Sequence, residues 1–166
     1  MVATTPRVVL YQPQIPPNTG NVARSCAATG AELHLVGPLG FEISDRHLRR
    51  AGLDYWPWVP LHQHEHWQAF RRHRQSLGGR LIALSSRAHE PYDQFAFAPD
   101  DWLLFGRETD GLPAEVLGEA DQLLTIPMPA VAGGAGVRSL NLSVAAAIVL
   151  FEALRQFRHI QPDALA

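Results

Sequence analysis

Three segments of this chain concentrate glycine, asparagine, arginine and glutamate beyond what a packed core requires. The first is Pro17-Asn18-Thr19-Gly20-Asn21-Val22-Ala23-Arg24. A loop feeding a helix in this way aims backbone N–H groups and the helix N-terminus at an anion such as a phosphate. An ordinary turn and N-cap with a surface arginine describes the same residues. The second is Phe105-Gly106-Arg107-Glu108-Thr109-Asp110-Gly111-Leu112-Pro113, which follows an apolar run. Ligands of open α/β sheets collect outside the carboxyl ends of strands. There Gly106 and Gly111 permit close backbone approach, and Glu108 can accept hydrogen bonds from hydroxyls or amides. A tight strand-to-helix turn with solvated charges is the alternative. The third is Ile126-Pro127-Met128, a small-residue loop over 129–136, then Val137-Arg138-Ser139-Leu140-Asn141-Leu142-Ser143. Ser139 or Asn141 caps the helix that follows, whatever else it does.

Other chemistries are excluded or weak. All 14 basic residues are arginine, so Schiff-base catalysis and a P-loop dependent on its lysine are both ruled out. Gly133, Gly134 and Gly136 do not form a GxGxxG fingerprint and do not sit between a first strand and its helix. His62, His64 and His66 alternate beside Glu65 and Trp67. Zinc ligands can show that spacing, but these residues read better as the start of a solvated helix, and no metal site is expected. Cys26 falls on the apolar side of a short helix, where packing rather than reactivity is expected. With no second cysteine there is no internal disulfide.

The elements that must position these segments alternate between strand and helix. Strands are expected at 7–11, 32–36, 80–84, 102–105 and 123–126. Helices are expected from about residue 18 to Gly30, over 44–51, over 66–76, briefly after Pro113, and over 140–158. That alternation predicts an α/β domain with a mostly parallel sheet flanked by helices. A single domain over 1–166 is expected, since no repeat or linker interrupts the pattern. Leu142, Ala145, Ala146, Val149 and Ala153 form a stripe on the last helix suited to core or subunit packing. No apolar run reaches membrane-spanning length and no signal peptide opens the chain, so a soluble cytoplasmic protein is expected.

Charge is unevenly spread. Residues 1–90 hold ten arginines against six acids, and 91–166 hold four against ten, within a net charge of -2. That balance argues against an indiscriminate nucleic-acid binder. Clusters such as Arg46, Arg49 and Arg50, or Arg71, Arg72 and Arg74, can still hold a few phosphates at one defined place.

Taken in order, the three segments resemble the SPOUT superfamily of methyltransferases, and within it the tRNA (cytidine/uridine-34)-2′-O-methyltransferases. The resemblance runs from Val9-Leu10-Tyr11-Gln12-Pro13 and Ile15-Pro16-Pro17-Asn18-Thr19-Gly20-Asn21 through Leu48-Arg49-Arg50-Ala51-Gly52-Leu53-Asp54-Tyr55 to the second and third segments. Each piece is weak alone; the ordered set is specific. The loop over 129–137 departs from the pattern in being longer and richer in glycine and alanine. The resemblance implies a deep C-terminal trefoil knot and a homodimer with helices near both chain ends between the subunits. It implies S-adenosylmethionine bound in the knot at Leu84, Gly106, Ile126, Met128, Ser139 and Leu140, with no metal. The implied reaction moves a methyl group to the ribose 2′-hydroxyl of the wobble pyrimidine in the tRNA anticodon loop. Arg24 is then the central catalytic residue, with Asn18, Glu108, Ser139 and Asn141 organising the pocket and Arg46, Arg49 and Arg50 on the anticodon stem. The alternatives are a ribose methyltransferase for another tRNA or rRNA position, a non-catalytic RNA- or cofactor-binding protein of this fold, and an unrelated α/β nucleotide-binding domain.

Overall fold

The computed structural model describes residues 5–43, 56–131 and 136–157. Arg46, Arg49, Arg50, the helix expected over 44–51 and residues 132–135 of the glycine-rich loop lie outside them. The strands are β1 (Arg7–Tyr11), β2 (Leu33–Val36), β3 (Leu61–His64), β4 (Leu81–Leu84), β5 (Glu90–Pro91), β6 (Trp102–Phe105) and β7 (Gln122–Thr125). The helices are α1 (Pro16–Thr29), α2 (Trp67–Leu77), α3 (Ala114–Glu119) and α4 (Leu142–Phe157).

All seven strands join one sheet in the order β3-β2-β1-β6-β4-β7-β5, and every pairing of these strands is parallel. Helices cover both faces, so β1 after Arg7 and the whole of β6 read as apolar runs, and both strands are buried at every position. Alternate residues feed two cores. Val8, Leu10, Leu103 and Phe105 pack with Val22, Ala23 and Cys26 of α1 and with Ala146, Val149, Leu150 and Ala153 of α4. Val9, Tyr11, Trp102 and Leu104 pack on the other face with Phe70 of α2 and Val116 of α3. The α4 stripe is therefore largely core. Burial pushes the Cys26 thiol up to about 12, as expected of a packed rather than reactive side chain.

The chain forms β4, places β6 between β1 and β4, then passes back across β4 to lay down β7. This crossing brings the carboxyl ends of β4, β6 and β7 together at the sheet rim. The trefoil knot is what the resemblance implies for this crossing.

Three local expectations need correction. His62 and His64 lie in the edge strand β3, paired in parallel with β2, and only His66 belongs to a helix start, as the N-cap of α2. The reason is tertiary: His34 of β2 stands opposite His62, giving the polar segment a partner that local pattern does not reveal. Helix α1 begins earlier than expected, because Pro16 and Pro17 occupy its first turn, where a missing N–H is no loss. The last helix begins at Leu142, two residues later than expected.

A cavity at the rim of β4, β6 and β7

The carboxyl ends of β4, β6 and β7 open into a cavity of about 730 Å³, within the usual range for small-molecule sites. Leu84, Gly106, Ile126, Met128, Ser139 and Leu140 all line it, as do Asn18, Glu108 and Asn141. These residues come from segments separated by up to 123 positions. Arg24 does not line the cavity; it is exposed on α1. Ile15, Ser85, Ser86, Arg87, Thr125 and Arg138 line it too and were not among the expected cofactor or catalytic residues. Ser85–Arg87 directly follow β4, so their position past a strand end was the available signal.

Two clamps join the segments. Glu108 Oε2 accepts from the Gln14 N–H at 3.0 Å and Oε1 from the Ile15 N–H at 3.1 Å. Ile15 is the N-cap of α1 and supplies no side-chain cap of its own, and no acid lies in the helix's first turn. Glu108 thus delivers, from the loop after β6, the acceptors and the negative charge that this helix start lacks. Thr109 reinforces the join by donating to Gln14 Oε1 at 2.8 Å. The second clamp is Asn141. Its Oδ1 accepts from Ser143 N at 2.9 Å, capping α4, and its Nδ2 donates to Asn18 Oδ1 at 3.0 Å. Asn141 therefore carries the cap role and also orients the nearly buried Asn18 amide, whose own nitrogen is left to donate to a ligand.

The loop of the second segment is shaped by backbone. Arg107 and Gly111 exchange N–H···O bonds of 3.1 and 3.0 Å. Gly111 takes φ +71°, and a Cβ on Gly106 would overlap the Gly111–Leu112 backbone. Arg107 is bound to Asp110 and donates to Gln12 Oε1 at 2.7 Å. The hydrogen bond from Arg107 holds the Asp110 carboxyl below the usual carboxylate range. Gln12 reaches this pairing from a left-handed backbone, φ 45°.

The cavity suits S-adenosylmethionine in its volume and in its lining. Partly buried Leu84, Ile126 and Leu140 offer apolar contact for a purine, and the glycine-shaped loop lets backbone groups approach closely. No helix in the described residues is long and apolar enough to cross a membrane.

Comparison with known proteins agrees with this arrangement. A protein from Synechocystis is 54% identical over 93% of this chain and 98% of its own. The tRNA (cytidine(34)-2'-O)-methyltransferase of Beijerinckia indica is 48% identical over 90% of each chain. A structure described as giving insight into the 2-OH methylation of C/U34 on tRNA superposes with a TM-score of 0.85. It is 48% identical and covers 92% of this chain and 96% of its own. The AdoMet-bound rRNA methyltransferase of Sinorhizobium meliloti superposes with a TM-score of 0.80 at 28% identity, over 93% of this chain and 58% of that one. The SpoU rRNA methylase family pattern matches residues 5–151. With the parallel sheet, the rim cavity and the ordered segments, this match establishes that the chain belongs to the SpoU rRNA methylase family.

Proposed function

We propose that this protein transfers a methyl group from S-adenosylmethionine to the ribose 2′-hydroxyl of the wobble pyrimidine of tRNA, acting as a cytoplasmic homodimer. The observation that carries the reading is the one cavity that gathers all six cofactor positions implied by the resemblance, with Asn18, Glu108 and Asn141 at its wall. The substrate follows from relatives that share nearly the whole chain and are named for cytidine-34. The dimer is supported by α4, which keeps Val144 and Phe151 exposed one heptad apart while its other side packs in the core.

S-adenosylmethionine supplies a sulfonium methyl whose departure leaves a neutral thioether and needs no acid. The protein must align the attacking oxygen and manage its proton, and alignment alone can contribute about 7–11 kcal/mol. Arg24 is a poor proton acceptor, because a guanidinium keeps its proton to a pH above about 12. Its exposed place outside the cavity suits a grip on the phosphate beside the target ribose, where it also stabilises the developing alkoxide. A phosphate oxygen or water then takes the proton. Asn18, held by Asn141, orients the ribose, while Ser139 and Leu140 bound the cofactor. Arg46, Arg49 and Arg50 hold anticodon-stem phosphates.

Purified protein is incubated with labelled S-adenosylmethionine and unmodified tRNA, and the methylated nucleoside is mapped by nuclease digestion and mass spectrometry. A 2′-O-methyl group at position 34 is expected. Label at another ribose would keep the reaction and replace the substrate. No transfer across a broad RNA panel, with cofactor binding intact, would refute the enzymatic reading. Arg24→Ala is expected to abolish transfer while cofactor affinity stays within about twofold; a parallel fall in both would overturn the phosphate role.

A further inference from the structure

The edge of the sheet at β2 and β3, away from the rim of β4, β6 and β7, holds a second concentration of chemistry. His34 of β2, His62 and His64 of β3 and His73 of α2 converge on one patch above Phe70 and Trp102. His34 is fully buried, while His62 and His73 are half-buried. One ring nitrogen from each of His34, His62 and His73 lies within 4.8 Å of the others. Glu32 Oε2 stands 3.1 Å from His34 Nε2 and 3.8 Å from His62 Nε2. His34 Nδ1 is held from the other side by His64 Nε2 at 3.0 Å.

Packing does not account for this set. Phe70 and Trp102 already fill the apolar face, and a buried imidazole needs partners for both ring nitrogens. His73 Nε2 is buried and has none. We propose that His34, His62 and His73, with the Glu32 carboxylate beside them, bind one divalent transition-metal ion of the zinc class and so staple β2, β3 and α2 together.

The ligand chemistry fits. Neutral imidazole is the form that ligates metal, and burial together with the neighbouring rings pushes His34 down to about 2. Three imidazoles and an oxygen make a four-coordinate set suited to zinc, copper or nickel rather than calcium or magnesium. His64 on the far nitrogen of His34 is the outer-sphere partner that ligating histidines usually have. Two ligands of a tetrahedral ion bound at about 2.0–2.1 Å stand about 3.3 Å apart, so the rings must close from their present spacing. His34 and His62 are stacked nearly parallel, at 6°, so His62 must also turn its edge inward. The half-exposed His62 and His73 can make these movements, while His34 is fixed by its packing. Arg7 Nε, 3.3 Å from the same Glu32 oxygen, opposes the cation in part but is also drawn over the Trp102 ring.

The test uses the full chain without an affinity tag, stripped with chelator and titrated with Co²⁺ and then Zn²⁺. One Co²⁺ per chain should bind below about 10 µM with the intense visible absorption of a tetrahedral ion, be displaced by Zn²⁺, and raise the melting temperature. His62→Gln and His73→Ala should each weaken binding at least tenfold and remove the thermal shift, while the exposed His89→Ala should change neither. Should one variant fail to fold, as judged by circular dichroism of the apo chain, the other decides. Absence of saturable Co²⁺ binding below 1 mM, or equal affinity in parent and folded variant, would overturn the proposal. Methyl transfer is not a readout here, so failure of the metal site and failure of the enzymatic reading remain separate results.

Discussion

Replacing Glu108 with Gln tests whether this residue acts as a cap delivered from another strand. The change is nearly isosteric, but it removes the charge and turns one of two acceptor atoms into a donor facing a backbone N–H. The parent makes two charge-assisted bonds, of 3.0 and 3.1 Å, to Gln14 N and Ile15 N. Bonds to charged groups contribute about 1.5–3 kcal/mol and neutral ones about 0.5–1.5 kcal/mol. At the lower ends, one bond lost and one made neutral come to about 2.5 kcal/mol, and because the pair is solvent-accessible, screening reduces the net loss to about 1–2 kcal/mol. For a chain of this size that lowers the melting temperature by about 2–8 °C. If the same free energy is missing when Asn18 aligns the ribose, kcat/KM falls by about 5- to 30-fold. Differential scanning fluorimetry and single-turnover methylation read the two effects. Thr109→Val, which removes only the bond to Gln14 Oε1, should produce a smaller shift in both. A Glu108→Gln protein as stable as the parent but inactive would show that Glu108 acts on the ligand directly and would refute the capping argument.

Asn141→Asp keeps an acceptor for Ser143 and the α4 cap, but it cannot donate to Asn18 Oδ1. Its melting temperature should stay within about 2 °C of the parent while kcat/KM drops about three- to tenfold, the value of one neutral hydrogen bond; an equal loss in Asn141→Asp and Asn18→Ala would place both on one path. Gly106→Ala puts a Cβ 2.6 Å from Leu112 N, so the 107–111 loop must open. Overpacking of this kind costs about 1–3 kcal/mol, and calorimetry should show affinity for S-adenosylhomocysteine falling more than affinity for tRNA. In chelator-treated protein, acid should destabilise the fold through the histidine cluster. His34 and His64 are pushed down to about 2 and about 4, chiefly by burial, against an ordinary value of 6.5. The unfolded chain therefore binds more protons below pH 6.5, and stability falls as pH drops from 6.5 toward 4. Each histidine contributes a slope of at most about 1.4 kcal/mol per pH unit; urea melts at pH 7, 6 and 5 check the sign, and His64→Phe should flatten the dependence.

The central strands were legible because burial on both faces leaves an unbroken apolar signature, as in Val8, Val9 and Leu10. The edge strand β3 was not, because Leu61-His62-Gln63-His64 carries no apolar alternation and is held by pairing with β2. Proline also misled: the helix was expected only from about residue 18, yet a helix tolerates Pro16 and Pro17 where its first N–H groups have no partner. At the site, residue types pointed to the right segments, but nothing local could bring Glu108 to Gln14 or Asn141 to Asn18. Those contacts span 94 and 123 positions and depend on strand order. Only the resemblance joined the segments in advance. The histidine cluster escaped for the same reason, since His34 is remote in sequence from His62 and His64 and His73 lies on the following helix.

The arginines show why a chain of net charge -2 can still recognise a polyanion. Arg107, adjacent to Glu108, would be the natural phosphate ligand by sequence. Its guanidinium is instead committed to Asp110 and Gln12 and lies over the Tyr11 ring, so its charge is spent on loop structure. Arg80 is likewise tied to the buried Asp101 carboxylate by two bonds of 2.8 Å. By contrast Arg87 and Arg138 line the cavity, are exposed, and make no ion pair among the described residues. Positive charge is thus neutralised where it builds the fold and left available at the cavity mouth. A few such contacts fix register on a nucleic acid without the broad basic surface that would bind any sequence. In the proposed reaction, the Glu108 and Asn141 clamps fix where Asn18 stands relative to that charge.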